Sequence, residues 1–428
     1  MLKREVPPPY KTIERITVQP VNQSSLSNGI DYFYLSAGSQ EITRIELIFK
    51  AGMFYQPATL IASGTNNLLE SGTVSYTANE ISEGIDFYGS FLELQVEQDY
   101  ATVTLYSLNK YLEESMKFVA EIIKCPVFPE REFEIYISNK KQKHAINSQK
   151  VNVLARRKFV SLLHGESHPY GVVVKEDDFS RLKTAHLRDF YNKRYNHSNC
   201  TIIAAGQLPA NLSDLLEKYF GSTPWGQPLQ LTGLAVPETN IQGEPYFEYR
   251  DDAIQSAIRI GRLLFNRTHS DYFHFQVLNT ILGGYFGSRL MNNIREEKGY
   301  TYGIGSGITN LVHGGYFYIS TEVGAEVTQA TLDEIYIELE RLRTDLVPAQ
   351  ELETVRNYIL GNFLRSVDGP FSLAEKFRSI WEYGLDYSYF ENYFTAVKTV
   401  TPQQLREIAN KYLQRDTLLE CVVGKKNS

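Results

Sequence analysis

A chain of 428 residues with 43% hydrophobic and 13% aromatic content is long enough for two or three domains with sizeable cores, which excludes a disordered or fibrous protein. Its net charge of -7 gives no general attraction to phosphate backbones and no basic recognition module occurs along it, so a nucleic-acid role is excluded. Cys125, Cys200 and Cys421 are odd in number and widely spaced, which fits three buried thiols rather than a disulfide framework or a metal site.

The opening MLKREVPPPYKTIERITVQP holds no apolar run of signal-peptide length, and no later stretch approaches the roughly 18 apolar residues of a membrane span. A soluble cytoplasmic chain is expected, or a periplasmic one from which an export signal was removed. From Thr43 to Lys50, Ile45, Leu47 and Phe49 alternate with Arg44, Glu46 and Lys50, the period of a strand with one buried face. Tyr100-Ala-Thr-Val-Thr-Leu reads as a second alternating strand, and Leu112, Met116, Val119 and Ile123 then recur at helical spacing. HGESH places His164 and His168 four apart around Glu166, but the glutamate stands at the wrong offset for a zincin helix. Pro169 and Gly171 mark a helix end there, so a structural or capping role is expected. GGYFGSR, from Gly283 to Arg289, lacks Walker or dinucleotide spacing and reads as a helix approach where backbone passes close to a neighbour.

The two halves repeat. HLRDFYNKRYNHSNCTIIAAG, ending at Gly206, aligns without a gap at an offset of 218 on QLREIANKYLQRDTLLECVVG, ending at Gly424, and each reads as a helix feeding an apolar strand. The strand, long helix and Pro129-Glu-Arg-Glu132 of the first half answer a strand from Tyr316, a helix and Pro348-Ala-Gln-Glu351 in the second. Between the halves, Gly221 to Pro245 is rich in Gly and Pro and follows neither period, which marks a linker. The expected domains are residues 1–220, the linker 221–245 and residues 246–428.

LSNGIDYFYL, FKAG, GTVSYTANEISEGIDFYGS, CPVFPEREFE, HPYG and GSRLMNNIREEKGYTYGIGSGI occur in this order across almost the whole chain. Together they resemble the pitrilysin-type (insulinase-like) zinc peptidase family. The resemblance implies an α+β fold of two homologous domains, each a mostly antiparallel sheet with helices packed on one face (LuxS/metallopeptidase-like). It also implies a clamshell, formed with a second subunit around a chamber in which peptides are degraded.

That family's chemistry uses a His-x-x-Glu-His helix, with two histidines one turn apart as Zn²⁺ ligands, a glutamate to activate water and a later glutamate as third protein ligand. Aligned on Gly72-Thr73, those positions hold Ser63, Asn66 and Asn67; aligned on the only nearby carboxylate, Glu70, they hold Asn67, Glu70 and Ser71. Neither register supplies a histidine, and the first in the chain is His144. From Ile135 to Gly165, where the third ligand would fall, there is no acidic residue, and Lys140, Lys141, Lys143 and Lys150 stand there instead, as a solvated helix face or as substrate contacts. No metal is expected on this chain.

The family's second domain contributes an arginine and a tyrosine seven residues later to the partner's zinc site, and REEKGYTY places Arg295 and Tyr302 at that spacing. Both are suited to donate hydrogen bonds to a scissile carbonyl whose oxygen gains negative charge. Spacing alone favours an Arg paired to Glu296 or Glu297 on a helix surface and an aromatic in a core strand, and only the full family pattern favours the functional reading. The resemblance therefore implies a zinc-free, non-catalytic subunit, inert alone. It would form a heterodimer with a zinc-bearing homologue, or a homodimer when expressed alone, and would bind peptide. The alternatives are a structural scaffold, as among respiratory-complex core subunits, and a metallopeptidase with another site, against which the absent histidines argue.

Overall fold

The structure is a computed structural model that describes residue 13, residues 16–228 and residues 244–425. Residues 229–243 of the expected linker lie outside the described residues. In the first half the order is β1 (Asn22–Ser25), β2 (Asp31–Ser36), β3 (Ile42–Phe49), α1 (Ile61–Asn67), α2 (Ala78–Phe87), β4 (Phe91–Val96), β5 (Ala101–Leu108), α3 (Leu112–Lys124), α4 (Glu130–Asn147), α5 (Val151–His164), α6 (Asp178–Arg181), α7 (Thr184–Arg194), β6 (Cys200–Gly206) and α8 (Leu212–Leu216). The second half runs β7 (Tyr246–Tyr249), β8 (Gln255–Leu264), α9 (Tyr272–Gly283), a π-helical turn (Met291–Glu297), β9 (Thr301–Leu311), β10 (Gly314–Gly324), α10 (Thr328–Thr344), α11 (Ala349–Arg365), α12 (Pro370–Trp381), α13 (Ser388–Thr399), α14 (Pro402–Tyr412) and β11 (Leu419–Gly424).

The repeat is visible in the sheets. One has the order β1-β2-β6-β3-β5-β4 and the other β7-β11-β8-β10-β9, so that, β1 aside, the halves share one topology. In each, a single pair is parallel, β2 with β6 and β7 with β11, and the remaining pairs are antiparallel. Gly206 and Gly424, matched by the repeat, end the equivalent strands at φ 134° and 145°, and a Cβ on either would strike neighbouring backbone. Helix starts are equally legible: Thr77 and Glu80 form a capping box on α2, and Thr401, Gln404 and Pro402 do the same for α14.

Each half packs its own helices on one face of its sheet. Ile45, Leu47, Val103 and Ile202 meet Ile61, Met116 and Ile123, while Ile260, Phe317 and Val422 meet Phe275, Leu339 and Ile408. The opposite face is covered by exchange. Phe159 and Leu163 of α5 pack on Leu419 and Cys421 of the second sheet, whereas Ala374 and Phe377 of α12 pack on Phe33, Ile48 and Ile203 of the first. The exchange joins the halves through two apolar layers, one at each sheet.

It also corrects an expectation. β3 is buried on both faces from Thr43 to Phe49, and Arg44 and Glu46, expected in water, are only 7% and 2% exposed. The cause is α12, whose Arg378 donates Nη1 to Glu46 Oε1 at 2.7 Å, while Arg44 Nη2 donates to Glu46 Oε2 at 3.2 Å. The strand from Ala101 to Leu105 is likewise buried on both faces. Of the three thiols expected to be buried, Cys125 is only half-buried, at the end of α3. Among the described residues no helix is long and apolar enough to cross a membrane.

Candidate functional site

The residues at the family's metal positions lie on α1 and the turn after it. Asn66 is fully buried: its Nδ2 donates to the Gln95 carbonyl (3.0 Å) and the Thr102 carbonyl (3.2 Å), and its Oδ1 accepts from Tyr195 Oη (3.0 Å). It thereby ties α1 to β4, β5 and the chain after α7. Asn67 Nδ2 donates to the Ser63 carbonyl at 2.7 Å, and Ser63 Oγ to the Leu60 carbonyl at 3.2 Å. Tyr136 of α4 brings a hydroxyl against Ser63 and Asn67, with burial pushing its pKa up, and Lys140 Nζ stands 5.2 Å from that ring's centroid. Glu70 rims a cleft of about 400 Å³, where desolvation raises its carboxyl above the usual range.

This donor set does not fit Zn²⁺. A structural or catalytic zinc takes three or four imidazole, thiolate or carboxylate ligands. Here the amides are committed to backbone bonds, the only carboxylate is Glu70, and α4 presents a lysine. Among the described residues no group of three or more His, Cys, Asp or Glu is placed to hold a metal ion.

Arg295 and Tyr302 lie in the second half, and the fold brings them together. Arg295 rides on the π-helical turn, which is anchored from beneath by Asn293, whose Nδ2 donates to Glu338 Oε1 (2.8 Å) and Glu334 Oε2 (3.0 Å). π-helical turns recur at functional sites. The Arg295 guanidinium is 4.6 Å from the Phe286 ring centroid and 5.8 Å from that of Tyr302. Its Nη1 forms an ion pair with Glu296 Oε1 at 3.1 Å, the pairing that the spacing alone suggests, and that nitrogen is buried without a hydrogen bond. Tyr302 is 94% exposed, not in a core strand, and Phe286 is 65% exposed.

A break in strand register aims Tyr302 outward. Register shifts between Thr321 and Val323 opposite the start of β9, where Thr301 Oγ1 donates to the Glu322 carbonyl at 2.8 Å and Thr321 Oγ1 to the Gly303 carbonyl at 3.0 Å. Tyr302 thus edges a cavity of about 470 Å³ that also takes in Arg156, Arg259 and Ser320. Sequence reading missed Thr301, Thr321, Tyr136 and Phe286. Phe286 sat inside GGYFGSR, which drew notice for its glycines. Those glycines behave as expected: a Cβ on Gly283 would collide with Ser306 of β9.

His164 ends α5 as expected, but it and His168 are buried together, rings 5.2 Å apart, beside Tyr170. Tyr170 Oη donates to Asp99 Oδ1 at 2.5 Å, and the other Asp99 oxygen accepts the Val312 N–H at 3.0 Å. The tip of the β9–β10 hairpin is fastened to the first half by this group.

Two repeated sheets exchanging one helix each define an α+β protein of two like halves, in which, among the described residues, the helix α1 carries no group placed to hold a metal ion. The first half matches the family described as Insulinase (Peptidase family M16) over residues 34–160, and residues 181–359 match the Peptidase M16 inactive domain. The chain belongs to peptidase family M16. It is 23% identical to the uncharacterized zinc protease of Rickettsia felis, over 90% of both chains. It is 26% identical to the mitochondrial cytochrome b-c1 complex subunit 2 of Schizosaccharomyces pombe, over 47% of this chain and 48% of that one. The crystal structure of a peptidase M16 inactive domain from Pseudomonas fluorescens superposes with a TM-score of 0.85 at 24% identity, over 95% of this chain and 99% of that one, a likeness of fold.

Proposed function

We propose that this chain is the zinc-free, non-catalytic subunit of a heterodimeric peptidase. It would bind peptide and stabilise the transition state for hydrolysis at a zinc-bearing homologous subunit. The division is that of residues 1–220, a linker at 221–245 and residues 246–428, in a cytoplasmic assembly, with a homodimer forming when the partner is absent. One observation carries the reading. The motif positions Ser63, Asn66 and Asn67 are turned into internal hydrogen bonds, whereas the Arg295 guanidinium lies beside Tyr302, whose side chain stands in solvent.

Donors fixed in advance on a carbonyl that gains charge lower the barrier without reorganising at the moment of reaction. Co-purification with a zinc-bearing homologue, and peptide hydrolysis by the mixture but by neither chain alone, is the expected result. A partner equally active without this chain would overturn it. The relationship to a cytochrome b-c1 subunit favours a second reading, a scaffold without catalytic role, which predicts assembly but no gain in hydrolysis.

A further inference from the structure

Lys140 and Lys143 of α4, which the sequence leaves open between a solvated helix face and substrate contacts, line a cavity of about 540 Å³ between α4, α5 and the β9–β10 hairpin. Lys140, Lys143, His144, Arg156 and Arg157 line it, and no Asp or Glu does. Among the described residues none of these two lysines and two arginines forms an ion pair. The α4 lysine that does, Lys141, reaches Glu176 outside the cavity at 3.6 Å. Arg157 has uncharged partners only, Ser148 Oγ at 3.0 Å and His144 Nδ1 at 3.3 Å. The two carboxylates that face His144 are engaged elsewhere, Glu176 with Lys141 and Asp178 with Thr59 Oγ1 at 2.7 Å.

Cations gathered without counter-ions repel one another, the more so where water is partly excluded. The repulsion registers locally: the pKa of Arg157 is lowered by burial and then by Arg156, and that of Lys140 by burial and then by Lys143. The remaining wall is apolar and includes Val160, Val174 and Leu311. A concave site with an apolar wall and convergent donors of one sign fits a ligand that is apolar along its length and anionic at one point. Arg156 also lines the cavity edged by Tyr302, which places the two cavities next to each other.

We propose that the cavity between α4 and α5 receives a carboxylate of a bound peptide, its C-terminus or an acidic side chain, on Arg157, Lys140 and Lys143. The proposal rests on the peptide-binding reading above and names the substrate class it favours. A neutral or basic segment would leave the cations unpaired.

The test uses the full chain alone and calorimetric titration of N-acetylated, apolar ten-residue peptides: one with a free C-terminal carboxylate, the same peptide amidated, and an amidated version with one internal glutamate. The expected result is that a carboxylate-bearing peptide binds roughly tenfold more tightly than the neutral one, weakening as salt rises. Which of the two binds identifies the source of the carboxylate. Lys143→Gln, on an exposed side chain, and Lys140→Gln and Arg157→Gln, on half-buried ones, should each remove much of that preference. Equal affinity for charged and neutral peptides, no binding of any, or an unchanged preference in all three variants would overturn the proposal. So would inorganic phosphate binding more tightly than every peptide. Because no partner subunit is present, failure here is separate from failure of hydrolysis in trans, which is read on the mixed subunits.

Discussion

Arg378 Nη1 lies 2.7 Å from Glu46 Oε1, and these residues, 332 positions apart, are nearly sealed from solvent, with 13% and 3% side-chain exposure. The same guanidinium reaches Glu382 at 2.6 Å and Glu97 at 2.8 Å. Removing one member of a buried pair leaves the other charge uncompensated. Arg378→Met should therefore destabilise the chain by about 3–5 kcal/mol in urea unfolding. Arg378→Lys should cost less, since an ammonium keeps the charge but lacks the fork that serves three carboxylates at once. A loss under about 1 kcal/mol for Arg378→Met would mean that the pair behaves as a solvated one.

That pair also marks the limit of the sequence. The offset of 218 located α7 against α14 and β6 against β11, because a repeat preserves local pattern and local pattern makes helices and strands. Period two told which side chains of β3 share a face, but not that α12 would cover the other. Glu46 read as solvated because its partner is 332 residues away. The π-helical turn under Arg295 and the register shift beside Tyr302 are set by Asn293, Thr301 and Thr321, whose hydrogen bonds cross between elements and leave no periodic trace.

Asn66 falls at the position of the family's glutamate when the motif is aligned on Gly72-Thr73, and its three hydrogen bonds join α1 to β4, β5 and Tyr195. Asn66→Ala strands groups in the interior, at about 1–3 kcal/mol for each one left unpaired, and should lower the unfolding midpoint measurably. Asn66→Glu should be worse, because it places a charge beside carbonyl oxygens in a fully buried site. A neutral outcome for both would show that α1 is held by other contacts.

Zinc should contribute nothing to this fold. Elemental analysis of the purified chain is expected to give well under one equivalent, and chelation should leave the thermal midpoint unchanged. One equivalent of zinc, lost on substitution of Glu70 or Asn67, would contradict the reading of α1.

His164 has its pKa pushed down to about 4, first by burial and then by His168. A histidine that stays neutral in the fold while the unfolded chain protonates near 6.5 lends stability that is complete above pH 6.5 and drains away as pH falls toward 4. The loss should amount to about 2–3 kcal/mol, and His168, also lowered, acts in the same direction. Asp99 is raised, chiefly by burial, and works oppositely, its stabilising contribution being lost as pH rises above 3.8. His164→Phe isolates the first effect. Its stability relative to the parent chain should improve steadily from pH 6.5 to pH 4, and a constant difference across that range would refute the assignment.

The proposed trans-catalytic role would fall on Arg295 and Tyr302. Tyr302→Phe removes a hydroxyl that meets only solvent here, and Arg295→Ala removes a guanidinium packed between Phe286 and Tyr302, so neither should disturb the core. If both donate to the carbonyl as it gains charge, each variant mixed with the zinc-bearing subunit should assemble normally and turn over ~10²-fold to 10³-fold more slowly, about 2.7–4 kcal/mol. The loss should sit in kcat if the bonds form only in the transition state, and in KM as well if they also hold the ground-state peptide. Gel filtration separates assembly from catalysis, and an unstructured peptide at saturating concentration separates binding from chemistry. An assembled complex with unchanged kcat and KM for both variants would leave Tyr302 an exposed ring without a task, and the scaffold reading would then stand.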